Sequence, residues 1–91
     1  MKNLKEKARE YRLPEMTTQE TLEMNWSKTL TFGNKVLLAG YFYSYREPCY
    51  FGAVYEFTTA DHTCEGGIRL TAVSDERFED NGHAIAWAMA H

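Results

Sequence analysis

Hydrophobic and polar residues alternate most regularly over residues 22–32. Leu22, Met24, Trp26, Leu30 and Phe32 hold even positions, Glu23, Asn25, Ser27, Thr29 and Thr31 odd ones, with one lapse at Lys28. This period of two predicts a half-buried strand. A helix competes for the same residues, because Leu22, Trp26 and Leu30 are four apart and Thr17-Thr18-Gln19-Glu20 resembles a capping box. The length of the alternation and the frequent Thr favour the strand. Gly33-Asn34 follows between two apolar runs and predicts a two-residue turn of type II′ or I′. With Phe32 opposite Lys35, Leu30 meets Leu37, Trp26 meets Tyr41, Met24 meets Tyr43 and Leu22 meets Tyr45. A slip of one residue would break every one of these pairs.

The second strand, residues 36–45, is apolar on both faces, as a central strand is. Arg46-Glu47-Pro48 turns the chain. Residues 49–57 then alternate again, with Cys49, Phe51, Ala53, Tyr55 and Phe57 on one side and Tyr50, Val54 and Glu56 on the other. A three-residue loop would set the first group beside Leu37, Tyr41 and Tyr43. Residues 58–67 read as a polar loop and 68–73 as a fourth strand. At the N-terminus, residues 2–12 read as a short helix with Leu4, Ala8 and Tyr11 on one face, ended by Pro14. The alanine-rich stretch 84–90 favours a helix, although Ile85, Trp87 and Met89 alternate well enough for a fifth strand. The expected architecture is α+β (α-β-β-β-β-α). A four-stranded antiparallel sheet is flanked by an N-terminal and a C-terminal helix, packed mainly on one face, in a single small domain over residues 1–91.

Composition narrows the function classes. The chain has 91 residues, 10 Lys plus Arg against 13 Asp plus Glu, and a net charge of −3. That balance argues against a dedicated nucleic-acid binder, which carries a basic field. Aromatic residues reach 14%, more than a small core needs, and Tyr and Trp are enriched at protein interfaces. The charged N-terminus has no apolar signal segment, and no stretch approaches a membrane span. A cytoplasmic setting is therefore expected, the host cytoplasm if the gene is carried by a phage, with Cys49 and Cys64 as free thiols. Cys49 is expected to be buried and Cys64 exposed.

The chemistry-bearing residues form no established constellation. His62 and Cys64, with Cys49 and His83, supply the right atoms for zinc but lack the tight ligand pairs of such sites. A Cys64 thiol activated by His62 or His83 is conceivable, yet no nucleophile signature surrounds it. Glycines 66, 67 and 82 are isolated turn residues and make no phosphate loop. The expectation is no enzyme, no metal and no cofactor.

Two surface features remain. Tyr43, Tyr45, Arg46 and Glu47, with Tyr50 across the turn, place aromatic and charged anchors at one end of the sheet. Asp75, Glu76, Glu79 and Asp80 form an acidic run suited to a basic groove. Together they point to a non-catalytic protein-binding module. Its expected form is a phage- or plasmid-encoded stoichiometric inhibitor, of anti-CRISPR or anti-restriction type, aimed at a larger protein or a nucleic-acid-binding complex. Direct contact with nucleic acid or membrane is not expected, whereas a homodimer is compatible. The alternative is a small homodimeric ligand-binding or enzymatic domain using His62 and Cys64.

Overall fold

The structure is a computed structural model that describes residues 3–26, 28–42 and 48–91. The elements run α1 (Leu4–Glu10), β1 (Met16–Thr18), α2 (Gln19–Asn25), β2 (Lys28–Phe32), β3 (Lys35–Tyr41), β4 (Tyr50–Phe57), β5 (Gly67–Val73) and α3 (Asn81–Met89). The class is α+β, as the pattern implied. Among the described residues, however, the sheet has five antiparallel strands, in the order β1-β5-β4-β3-β2, and there are three helices where two were expected.

The expected strand over residues 22–32 splits in two. Its second half is β2, and the hairpin register holds: Phe32 faces Lys35, Leu30 faces Leu37 and Lys28 faces Ala39. Among the described residues Gly33 is the only one in this turn with positive φ, at 61°, which selects type II′. The first half is α2. The Thr18 side chain accepts a hydrogen bond from the Thr21 N–H at 3.3 Å and caps the helix. Leu22 is fully buried, while Met24, which a strand would have buried beside it, is 79% exposed. The four-residue spacing therefore overrides the alternation: Leu22 and Met24 lie in α2 and Trp26 caps it, so Trp26 is outside the β2–β3 ladder, while the expected partners Tyr43 and Tyr45 lie outside the described residues.

The β3–β4 register also differs from a three-residue loop. Leu37 faces Val54 and Tyr41 faces Tyr50. Tyr50, Gly52 and Val54 thus share a face with Leu37 and Tyr41, while Phe51, Ala53 and Tyr55 share one with Val36, Leu38 and Gly40. The second new element, β1, pairs with β5 through Met16–Arg69, Thr17–Ile68 and Thr18–Gly67. Thr71 is an extra residue in β5, since Ala72 faces Val54 and Leu70 faces Tyr55. Such a bulge sharpens the local twist.

The helices cover both faces of the sheet rather than one. On one face Val36, Leu38, Phe51, Ala53, Tyr55, Ile68, Leu70 and Val73 pack against Ala8, Tyr11, Leu13 and Leu22, with Trp26 and Phe42 at the margin. Tyr11 stacks on Phe51 with ring centroids 4.0 Å apart, and Arg77 lies over the Tyr11 ring and pairs with Glu10. The Tyr55 hydroxyl donates to the Pro14 carbonyl at 2.7 Å, and burial pushes its phenol above the usual range. On the other face Leu37, Ala39 and Val54 meet Ala84, Ile85 and Ala88 of α3. Gly52 lets that helix approach: a Cβ there would lie 2.7 Å from the Ala84 carbonyl oxygen and 2.8 Å from Trp87.

Candidate functional site

The sheet end where β4 begins carries the sequence-predicted surface in part. Tyr43, Tyr45, Arg46 and Glu47 lie outside the described residues. Tyr50 is described and half-buried, with Tyr41 edge-on to it at 5.3 Å between centroids. Its N–H donates to the Phe78 carbonyl at 3.0 Å, and the Phe78 N–H donates back to the Tyr50 carbonyl at 2.7 Å. This isolated bridge, which nothing in the local pattern signalled, stitches the middle of the acidic run to the edge of the tyrosine cluster. Tyr50, the described member of the turn-end group, therefore lies beside the acidic run. Between them runs a shallow groove of about 280 Å³ lined by Pro48, Arg77, Phe78, Glu79 and His83.

The four acids of the run differ in what they touch. Asp75 pairs with Lys7 at 2.6 Å. Asp80 caps α3, its carboxylate accepting from the His83 N–H and contacting the His83 ring, both at 2.8 Å. Those contacts, the backbone bond first, hold the Asp80 carboxyl below the usual carboxylate range. Glu76 and Glu79 are exposed. Arg77 turns the other way, donating to the Tyr11 hydroxyl and to Glu10. The outward charge is thus narrower than four acids in sequence implied, because Asp75 and Asp80 are spent on structural contacts.

A second feature escaped the sequence reading. β2 ends the sheet, and Leu30, Phe32 and Met89 are 41%, 52% and 51% exposed. Leu30 and Phe32 face the α3 side, because their partners Leu37 and Lys35 do. Trp87 lines a groove with Thr71, Ala72 and Val73 of β5. Met89 lies two residues, or roughly 200°, further round the helix, and so looks toward the β2 side. The alternation put Leu30 and Phe32 on the buried side of the strand, but α3 meets β3 and β4 and both stay exposed.

His62 and Cys64 are the pair of the alternative reading. The His62 ring stacks on Phe57 at 4.5 Å, and no hydrogen bond joins it to Cys64. Cys49 is buried and Cys64 exposed, and no disulfide joins them. Among the described residues no three His, Cys, Asp or Glu side chains converge in a group that could hold a metal. No helix among them is long and apolar enough to cross a membrane.

The family described as nucleotide modification associated domain 4 matches residues 13–91, the whole fold except α1. The chain belongs to that family. No curated protein and no solved structure matches it.

Proposed function

From membership of that family and the joined aromatic and acidic end of the sheet, we propose that this chain is a non-catalytic protein-binding module. Its partner is a component of a nucleotide-modifying or nucleic-acid-binding machine. The observation that carries this reading is the Tyr50–Phe78 backbone bridge. It sets an aromatic rim of Tyr41, Tyr50 and Phe78 beside Glu79, which lines the same groove as Phe78, with the exposed Glu76 two residues before Phe78 in the chain. Aromatic anchors supply binding energy by desolvation, and rim carboxylates steer a basic partner and set encounter rates. The family description supports the choice of partner class. A stoichiometric inhibitor of anti-CRISPR or anti-restriction type, encoded by a phage or plasmid, is the form of this reading in which occupancy of the basic groove blocks the machine.

The test is photo-crosslinking in the native host from position 83, which lines the same groove as Glu79, with position 23 on α2 as the control, with Glu76 and Glu79 intact and in a Glu76→Lys/Glu79→Lys variant. A discrete basic partner captured from position 83, and lost on charge reversal while the fold persists, is the expected result. Affinity for that partner should fall at least tenfold, about 1.4 kcal/mol. Equal capture from both positions, or capture indifferent to charge reversal, would overturn the reading.

A further inference from the structure

We propose that the chain forms a two-fold dimer in which β2 pairs antiparallel with β2 of a second copy, Leu30 lying on the axis. The argument begins with the direction of the backbone groups. In a two-residue hairpin the residues flanking the turn exchange hydrogen bonds, so Phe32, Leu30 and Lys28 point their N–H and C=O groups at β3. The far side of β3 agrees: the Phe57 N–H donates to Asn34 and the Phe42 N–H to Cys49, each at 3.0 Å, which assigns the even residues of β3 to β4 and the odd ones to β2. Thr29 and Thr31 are left pointing outward from the sheet edge. A strand added there must pair with those two residues.

A second β2 does so without mismatch. Thr29-Leu30-Thr31 reads the same in both directions, so an antiparallel copy centred on Leu30 sets Thr29 against Thr31 twice and Leu30 against Leu30. The threonine pairs exchange four hydrogen bonds. The leucines form a non-hydrogen-bonded pair, the kind in which side chains approach most closely. Lys28 then faces Phe32 of the second copy, a cation beside an aromatic ring rather than beside another lysine. Leu30 and Phe32, each about half exposed, are covered on the side where Met89 adds apolar surface. The other edge of the sheet offers no equivalent. There β1 has three residues, too short to template a partner, which is how edges are commonly blunted. The strip on β2 has only Lys28 in that protective role.

The dimer is independent of the partner reading, since it leaves Tyr50, Glu76 and Glu79 uncovered and gives each assembly two such ends. Its test needs only the purified chain. Light scattering and sedimentation equilibrium should show a dimer, and Leu30→Lys, which puts two cations on the axis, should raise its dissociation constant at least tenfold with unchanged circular dichroism. Glu76→Lys/Glu79→Lys should leave the dimer intact. In a Cys64→Ser background, Leu30→Cys should give a covalent dimer on mild oxidation, because paired Cα atoms about 4.5 Å apart suit a disulfide. Phe32→Cys, which faces Lys28 rather than itself, should cross-link poorly. A monomeric wild type, or a dimer indifferent to Leu30→Lys, overturns the proposal. Equal cross-linking at positions 30 and 32 overturns its register.

Discussion

The two faces of the sheet are closed by different means. One is filled from β5 to β3 by α1, α2 and the segment between α1 and β1, with Tyr11 stacked on Phe51 and Leu22 fully buried. The other is covered by α3, with Phe78 packed beside it. Nine residues rising about 1.5 Å each make a helix short against a five-stranded sheet, whose strands lie about 4.8 Å apart. Its contacts concentrate on β3 and β4. The small residues that seat it, Ala84 and Ala88 over Gly52, bring it close to the sheet but give it little reach. Large aromatic plugs close a face completely, whereas a close-fitting alanine helix closes the centre and leaves the margin at β2 open. The open margin and the tyrosine–acid end are both on the α3 side, so the thinly covered face is the one that carries the proposed associations.

Filling the seat of α3 should break this contrast most severely. Gly52→Val would drive a side chain into the Ala84 carbonyl and Trp87, with no flexible side chain on the carbonyl side to yield. Overpacking against backbone should cost more than about 3 kcal/mol, read as a large drop in denaturation midpoint. Near-wild-type stability would mean that α3 is seated elsewhere. On the plugged face, Tyr11→Ala should cost about 3 kcal/mol by leaving a cavity over Phe51 and removing the ring beneath Arg77. A loss under about 0.5 kcal/mol, the range of ordinary surface changes, would show that α1 and Tyr11 are not part of the closed face.

Gly33→Val probes the open margin by straining the turn that registers β2. The expected loss is about 1–3 kcal/mol from a branched residue at positive φ, with β2 amides exchanging faster than those of β4. An unchanged melting temperature would refute the type II′ turn. The smallest effect concerns the cap of α3. Asp80 titrates below its unfolded value, so its contribution is present above the unfolded pKa and disappears as pH falls through the folded one. Asp80→Asn should therefore narrow the stability difference between neutral and acidic pH, most visibly below about pH 4. A variant whose acid sensitivity matches wild type would show that the carboxylate charge contributes nothing to the cap.

The reactive-residue readings and the interface readings fared differently for physical reasons. Burial of Cys49 and exposure of Cys64 were legible, because one sits in an alternating apolar run and the other in a polar loop. The meeting of Tyr50 with Phe78 was not, since it joins residues 28 apart in sequence through backbone atoms that no side-chain pattern encodes. The spending of Asp75 on Lys7 was hidden for the same reason: α1 and the acidic run are neighbours only in three dimensions.

The sequence by itself determined what depends on nearest neighbours along the chain. The Gly33-Asn34 turn, the β2–β3 register, the doubly buried strand β3, the end of α1 before Pro14 and the alanine-rich helix near the C-terminus all follow from local sterics and periodicity. The tertiary structure decided everything that required choosing among distant partners. It made residues 19–25 a helix, in which Leu22 is fully buried and Met24, which a strand would have buried beside it, stays exposed. It formed β1, three residues that become a strand only by pairing with Gly67–Arg69. It set β4 against β3 through a connection whose length, not its composition, selects which face each residue joins. It also sent the helices to opposite faces. A period of two tells a residue that it has a buried side, and only the packed sheet says which side that is.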